Sequence, residues 1–290
     1  MLPLSKETKA QRAERLKQEK NPWECLDELR QFALKGYDAM PPEWRNTYLR
    51  WWGVYPQGDG VGVMGGKGGE GQSVPFFMVR IRVPSGLLFS HQLRTIADLA
   101  DRYAQGMVDI TVRHNIQLHW VTAEALVEIF EQLWRCNLTT MAACGDDTRN
   151  ITGCPLAGVD ADEICDASSL AMRATDMLVG NPDFYNLPRK YKICITGCRS
   201  WCCYPEINDV GLTAITRVRD GAEEIGFSLR VGGGLSAEPF LAKRLNAFVR
   251  WHQVPAVVLG VTRIFREAEV LRQHRERARL KYLFKQHGWT

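Results

Sequence analysis

The stretch that decides the fold is residues 75–84, PFFMVRIRVP, in which apolar and polar side chains alternate. Alternation with a period of two, together with aromatic and β-branched residues, predicts a half-buried β-strand. Helical periodicity follows at 89–104, then two strands within 108–121 (VDITVRHNIQLHWV) and an amphipathic helix at 123–135. The order β-α-β-β-α predicts an α+β layer with helices packed on one sheet.

Further elements are predicted on both sides of this stretch. Helices at 5–20 and 23–36 precede a glycine-rich segment, 58–71 (GDGVGVMGGKGGEG). This segment is typical of a flexible loop or linker, and a phosphate-binding loop is the alternative, although it lacks GxxxxGK[ST]. Toward the C-terminus the pattern predicts a helix at 161–179, strands near 190–196, 207–215 and 225–231, and helices near 238–250, 255–268 and 270–286. The predicted class is α+β, divided into 1–72 (helices and linker), 73–140 (a half-domain) and 141–290 (a second domain).

Composition and charge limit the function classes. Hydrophobic residues make up 45% and charged residues 24% of the 290 residues, as in ordinary globular proteins. The net charge of +4 is too small to indicate nucleic acid by itself, but it suits an anionic substrate or an acidic protein partner. We find neither a long apolar run nor the apolar core of a signal peptide, so we expect no membrane span and a cytoplasmic location.

The nine cysteines indicate metal chemistry, because most of them fall between Cys144 and Cys203. In a reducing compartment we expect no structural disulfides. Cys144 and Cys154 lie in a polar loop, and Cys198 and Cys202 form a C-x3-C pair after a predicted strand. Thiolates select zinc or iron–sulfur; the C-x2-C knuckles of structural zinc are missing, and unequal spacings suit a cubane. The alternative is that these cysteines are small buried hydrophobic residues.

A second set of candidates is cationic. Arg149 lies in the cysteine-bearing loop, and the others lie on or beside predicted strands: Arg80, Arg82, Arg113, Arg189, Lys190 and Lys192. Arg80 and Arg82 are two residues apart, as are Lys190 and Lys192, so each pair projects to one face. Half-buried cations require anionic partners, which a carboxylate-rich macrocycle and a small oxyanion would supply. The alternative is a set of solvated residues that protect strand edges.

Gln117 and His119 alternate with Ile116 and Leu118, so they also project to one face of a strand. A lone histidine is more often a structural residue than a ligand, so this pattern does not by itself indicate a binding site.

Five longer motifs carry a resemblance to a known family: TVRHNIQLHWV, GDDTRNITGCPLAG, NLPRKYK, PEINDVGL and LRVGGGLS. From about residue 46 to the end, the chain resembles the sirohaem-dependent assimilatory nitrite and sulfite reductases of the ferredoxin type. The resemblance implies a ferredoxin-like half-domain, then a mixed α+β domain that binds sirohaem and a 4Fe–4S cluster. It also implies the six-electron reduction of sulfite or nitrite. Such proteins carry two units in tandem, and this chain is most similar to the N-terminal unit, so we expect a homodimer or a separate second-half subunit.

The resemblance implies a role for each candidate residue. The residues expected around the substrate anion are Arg80, Arg149, Lys190 and Lys192. Those expected to contact sirohaem are Arg113, Gln117, His119 and Arg189. The expected cluster ligands are Cys144, Cys154, Cys198 and Cys202, with Cys202 as the thiolate shared with the sirohaem iron; Arg82 and Cys203 are the alternatives to Arg80 and Cys202. In the family the ligands normally lie in the second half as C-x5-C and C-x3-C, whereas the first interval here is C-x9-C.

At this point two questions stay open: which anion is the substrate, and whether the chain acts without a second subunit. Sulfite reductases of this family tend to carry lysine at the position of Lys192, and plant-type nitrite reductases asparagine, which favours sulfite. A ferredoxin-like electron donor fits the mildly basic charge. Two alternatives are a non-catalytic or cofactor-sharing subunit of a split reductase, and an iron–sulfur protein without reductase activity.

Overall fold

The computed structural model describes residues 7–59 and 72–288, so most of the glycine-rich segment predicted at 58–71 lies outside the described residues. Two four-stranded sheets are described, each with its own hydrophobic core. No helix in the described ranges combines the length and the apolar character needed to cross a membrane.

The first sheet contains the β-α-β-β-α order that the sequence predicts. Its strands, in the spatial order β1-β2-β4-β3, are all antiparallel. The elements are β1 (Val54–Gly58), β2 (Ser73–Arg82), β3 (Asp109–Ile110) and β4 (Asn115–Val121), with helices α4 (Ser90–Tyr103) and α5 (Ala125–Arg135). Phe77, Val79 and Ile81 alternate along β2 into the core, so the arginines between and after them face the other side.

The N-terminal helices pack onto this same core. They are α1 (Lys9–Glu19), α2 (Leu26–Lys35) and α3 (Pro42–Asn46). Leu16, Leu29 and Trp44 are each at most 3% exposed and join the core of the first sheet. Helix α1 also contacts the second half of the chain, because the Lys17 ammonium donates to the Leu187 carbonyl at 3.0 Å. The division at residues 72 and 140 remains a prediction.

The second sheet is mixed. Strand β5 pairs with β6 in parallel, and β6, β7 and β8 are antiparallel. The elements are β5 (Ile193–Thr196), β6 (Val210–Arg219), β7 (Ala222–Val231) and β8 (Lys243–Arg250), with helices α6 (Ser168–Leu178), α7 (Val254–Glu267) and α8 (Leu280–Gln286).

Two helix predictions are wrong. The segment predicted as a helix at 238–250 forms strand β8, because pairing with the free edge of β7 outweighs the helix propensity of its Ala, Lys, Arg and Leu residues. The helix predicted at 270–286 is broken by two 3₁₀ turns and is α-helical only in α8. The broken path lets Arg272, Arg275 and Arg279 reach Glu14, Asp146 and Asp209 respectively.

An extended segment beside β5 joins the two ends of the site. Isolated parallel bridges pair Thr148 with Tyr191 and Thr152 with Cys194, so residues 148–152 run alongside 191–194. The predicted cations lie where these segments begin, and predicted metal ligands follow where they end. About 13 Å of extended backbone separates Lys192 from Thr196 at about 3.3 Å per residue. The fold therefore places two kinds of chemistry at opposite ends of one strand pair.

Candidate anion site and metal centre

Arg80, Gln117 and His119 form a row on the face of the first sheet opposite its core. Arg80 lies directly across from Gln117 in the strand register and donates to the Gln117 Oε1 from Nε at 2.9 Å and from a terminal nitrogen at 2.6 Å. The His119 Nε2 lies 3.5 Å from the Gln117 Nε2 and 2.9 Å from an Asp109 carboxylate oxygen. Burial lowers the pKa of His119, although Asp109 opposes the shift.

Arg80 and Arg82 share this face but differ in burial. Arg82 is 1% exposed and donates to the carbonyls of Ala142 at 3.0 Å and Thr148 at 2.7 Å. Burial lowers its pKa to about 10, so it remains charged at neutral pH. Arg80 is half-buried and donates to the Cys144 sulfur at 3.3 Å. Arg82 therefore holds the loop in place, and Arg80 is the arginine that faces the site.

Arg149 is fixed by the loop that carries it. Its backbone N–H donates to the Tyr191 carbonyl at 2.8 Å, which sets it beside Lys190. Its guanidinium donates to the carbonyls of Ala143 at 3.2 Å and Gly145 at 3.2 Å and to the Tyr55 hydroxyl at 3.4 Å. These neutral acceptors orient the cation, and the buried Asp147 carboxylate lies 3.9 Å from its Nε.

Lys190 and Lys192 are half-buried amines without partners. Across residues 7–59 and 72–288, neither ammonium group has a hydrogen bond or an ion pair. Burial, reinforced by Arg149, lowers the pKa of Lys190 to about 8. Burial, reinforced by Arg113, lowers the pKa of Lys192 to about 7. Half-buried ammonium groups without an ion pair among the described residues favour the binding of an anion.

The acid nearest to Lys192 is already engaged. Asp209 is fully buried and accepts from Arg279 at 2.7 and 3.2 Å, and it also accepts the Lys192 backbone N–H at 2.8 Å. Asp209 therefore fixes the backbone at the start of β5 and leaves the lysine side chain free.

The two arginines predicted to contact sirohaem already form some hydrogen bonds within the protein. Arg113 donates to the Asn208 side chain at 2.9 Å and to the Asn150 carbonyl at 2.8 Å, and its Nε has no partner among the described residues. Arg189 donates at 3.2 Å to Asp146, a carboxylate that Arg275 also contacts. Their roles toward sirohaem stay predictions.

A cavity of about 270 Å³ opens beside Arg149. The charged residues of its lining are cationic except for Asp146: Lys9, Arg12, Arg50, Arg149, Arg189 and Arg275. Lys190 and Lys192 do not line it. Of the predicted substrate-binding cations, the cavity therefore contacts Arg149 and not the two lysines.

Three of the four predicted metal ligands come together. The sulfur atoms of Cys154, Cys198 and Cys202 lie within 4.8 Å of one another, with Cys202 3.4 Å from Cys154 and 4.0 Å from Cys198. Cys144 does not join them, so the structure groups three of the four cysteines, and the ligand set stays a prediction. It lies before the extended segment 148–152, at the cationic end against Arg80, whereas Cys154 follows that segment.

Two more thiols form a separate pair beside this group. The sulfur of Cys203 lies 2.9 Å from that of Cys194, a buried residue of β5. Cys203, the predicted alternative to Cys202, therefore points toward the strand and not toward the three-thiol group.

Sequence reasoning missed three residues of the site. Tyr55 accepts from Arg149, and the guanidinium groups of Arg50 and Arg80 lie 5.3 and 5.7 Å from the centre of its ring. Asp147 is fully buried with both carboxylate oxygens lacking a hydrogen bond among the described residues, and burial raises its pKa. Asp147 and Asp209 lie inside motifs that the sequence analysis quoted. The presence of acids in these motifs could have indicated that they pair with nearby cations.

The residues partly fit the two groups that the resemblance implies. Unpartnered cations and the orphaned Nε of Arg113 suit a ligand that carries carboxylates or an oxyanion. Three close thiols have the donor chemistry of an iron–sulfur centre but supply one ligand fewer than a cubane has irons. Fold and site together define an α+β protein with a cation-lined site and a group of thiols.

Comparison with known proteins identifies the family. Residues 70–134 match the family model "Nitrite/Sulfite reductase ferredoxin-like half domain", and residues 144–290 match "Nitrite and sulphite reductase 4Fe-4S domain". The chain belongs to the nitrite and sulfite reductase family. The predicted fold class is confirmed, and the matches support the predicted iron–sulfur and sirohaem cofactors of this family.

Similar proteins include both kinds of reductase. "Sulfite reductase [ferredoxin] 2" of Mycolicibacterium paratuberculosis is 38% identical over 260 residues, which is 89% of this chain and 46% of that protein. "Ferredoxin--nitrite reductase" of Leptolyngbya laminosa is 37% identical over 288 residues, 97% of this chain and 53% of that protein. The solved structure of the NirA protein of Mycobacterium tuberculosis superposes with a TM-score of 0.86 at 35% identity, covering 96% of this chain and 50% of that one. The chain thus spans about half the length of the curated relatives it matches.

Proposed function

We propose that this chain is one half-unit of a sirohaem- and 4Fe–4S-dependent reductase, and that it supplies the cationic wall of the site that holds sulfite or nitrite. The observation that carries the proposal is the pair of half-buried amines, Lys190 and Lys192, beside Arg149; within residues 7–59 and 72–288 neither amine has an ion pair. A small oxyanion is a ligand whose charge would satisfy these amines.

The chain's own residues would bind the substrate anion, orient it and supply protons to it. Arg149 is held by backbone carbonyls and Tyr55, so its charge is aimed before the substrate arrives, which is the condition for electrostatic stabilisation. Lys190 and Lys192 have pKa values of about 8 and 7, so each can hold or release a proton near neutral pH. When bound, sirohaem and the cluster supply an iron with an open position and single electrons.

Sulfite is the favoured substrate and ferredoxin the favoured electron donor. The relatives that bear the names of ferredoxin-dependent enzymes divide between sulfite and nitrite reductases, so their names support both anions. Lys192 gives the preference for sulfite, because a second amine suits an oxyanion of higher charge. The net charge of +4 suits an acidic donor protein.

We further propose that this chain pairs with another copy of itself or with a second-half subunit. Strand β3 lies at the edge of the first sheet, and the nearby Ile110 and Val112 are 83% and 97% exposed, which marks a surface suited to pairing. Light scattering of the cofactor-loaded protein should give the mass of a pair; a cofactor-loaded monomer would contradict the pairing.

A cofactor-sharing subunit is the second candidate function, and the incomplete set of three thiols favours it. The visible spectrum separates the two candidates. A purified chain with sirohaem bands supports the enzyme, and a chain that acquires those bands only with a second subunit supports cofactor sharing.

Replacement of Lys190 by alanine tests the proposed function. We expect kcat/KM for sulfite to fall about 10²-fold while the sirohaem absorbance per chain stays unchanged, because the lost group acts on the substrate. Lys35→Ala, an exposed lysine of α2, is the matched control and should leave kcat/KM unchanged. Equal loss of activity and cofactor would make Lys190 a structural residue, and unchanged activity would remove it from the site.

A further inference from the structure

The three-thiol group is built from two segments of the chain. Cys154 follows the extended segment 148–152, whereas Cys198 and Cys202 both lie in the loop that follows β5. Cys154 and Cys198 are buried and Cys202 is exposed, so one side of the group is open. The convergence of three thiols from two segments favours a binding role, because small apolar residues would pack equally well there.

The surroundings hold this turn in a strained conformation. Trp201 and Tyr204 have φ values of 53° and 51°, which residues with side chains adopt only when their surroundings impose them. The Arg230 guanidinium lies 4.3 Å from the centre of the Trp201 ring and packs on the turn. The Ser200 backbone N–H donates to the Cys198 sulfur at 3.3 Å, a contact that stabilises a thiolate.

The nearest candidates for a fourth thiolate are engaged elsewhere. Cys144 contacts Arg80 at the other end of the strand pair, and Cys203 contacts Cys194. Within the described residues, no further cysteine, histidine or carboxylate belongs to the close group. The described part of this chain therefore offers three protein ligands at this position.

We propose that Cys154, Cys198 and Cys202 bind a 4Fe–4S cubane through three thiolates, leaving one iron with no cysteine from this chain and facing the open side near Cys202. The iron–sulfur identity of the ligand rests on the proposed function; the number and identity of the ligands rest on the geometry alone. An iron without a thiolate is the most weakly held of the four, so it is the first to leave on oxidation.

Iron release from the full chain tests the proposal. The purified chain is reconstituted anaerobically with ferrous iron and sulfide, and should take up about four irons and four sulfides per chain. Ferricyanide then removes one electron, and the oxidised cubane releases one Fe²⁺ to leave a 3Fe–4S cluster in the +1 state, which electron paramagnetic resonance detects. A cluster that keeps all its iron under this treatment would mean a fourth protein ligand and would overturn the proposal.

Serine variants test the ligand set. Cys154→Ser and Cys198→Ser should each lose most of the bound iron and sulfide, whereas Cys144→Ser and Cys203→Ser should bind as much as the parent chain. Cys25→Ser, at the start of α2, is the matched control. Circular dichroism should show the parent helix and strand content in every variant, which separates ligand loss from misfolding.

Three results would contradict the inference. They are loss of iron in Cys144→Ser, loss of iron in Cys203→Ser, and zinc bound without sulfide in the parent chain. None of these measurements uses substrate, so the inference and the proposed reductase function can fail separately.

Discussion

The cationic end and the thiol end of the strand pair are built in different ways. At the cationic end, buried groups hold the backbone: Arg82 binds two loop carbonyls, and Asp209 binds Arg279 and the Lys192 backbone. At the thiol end, Cys202 is exposed on a turn, and its sulfur contacts those of Cys154 and Cys198 from two segments of the chain.

The difference shows which end is complete without a ligand. The cationic end is preorganised by the protein, and an anion adds charge compensation to an existing shape. Under the proposed cluster binding, the thiol end would gain its final geometry from the metal, since metal binding to thiolates contributes folding free energy. A substitution should therefore be able to disrupt either end while the other end stays intact.

Replacement of Arg82 by methionine should break the cationic end and have the largest effect. Two loop carbonyls would lose their donor, and buried Asp147 would lose a neighbouring positive charge, so we expect the free energy of unfolding to fall by about 3–5 kcal/mol. Denaturant unfolding measures the change. Arg94→Met, on the exposed face of α4, is the control and should change it by less than about 0.5 kcal/mol. A cost below about 1 kcal/mol for Arg82→Met would show that the loop is held by other contacts.

Replacement of Gly197 by alanine should break the thiol end alone. A Cβ at Gly197 would lie 1.6 Å from the Cys165 carbonyl oxygen, so the residue that precedes Cys198 must shift. We expect about 1–3 kcal/mol of destabilisation and a large loss of iron uptake, with sulfate binding at the cationic end unchanged. Gly260→Ala, whose Cβ would meet nothing within 4 Å, is the control. Normal iron content in Gly197→Ala would show that the thiol end tolerates a displaced strand end.

The smallest expected effect is the pH dependence of anion binding at the cationic end. Lys190 and Lys192 have pKa values of about 8 and 7, below the ordinary 10.5, so both are charged below pH 7 and both become neutral as the pH rises through this range. Sulfate, which stays a dianion, should bind several-fold more tightly at a pH of about 6 than at about 9.5. Thermal melting with and without sulfate measures this, and the variant with both lysines changed to methionine should lose the dependence.

The same pKa values fix the sign of the stability change without an anion. Between the folded-state values of about 7 and 8 and the ordinary 10.5, the unfolded chain binds more protons than the folded chain. The contribution of these two lysines to stability should therefore rise with pH across that window. A fall in the lysine-dependent part, obtained by subtracting the double-methionine variant, would contradict the burial of these amines.

Local patterns were sufficient for much of the fold. The alternation in 75–84 and the periodicity of 123–135 predicted β2 and α5, because each side chain's burial follows from its place in a regular element. The segment at 238–250 failed, since its residues favour a helix in isolation and only the unpaired edge of β7 makes them a strand.

The sequence by itself determined the chemistry available to this protein: the family, the α+β class, and the identities of the cations and thiols. Only the tertiary structure decided how these residues are grouped. It turned Arg82 inward and left Arg80 at the site, and it separated Cys144 from Cys154. Spacing along the chain could not reveal this separation, because an extended segment carries two nearby residues to opposite ends of a strand. Distance in space depends on the path of the backbone between residues and not on their number.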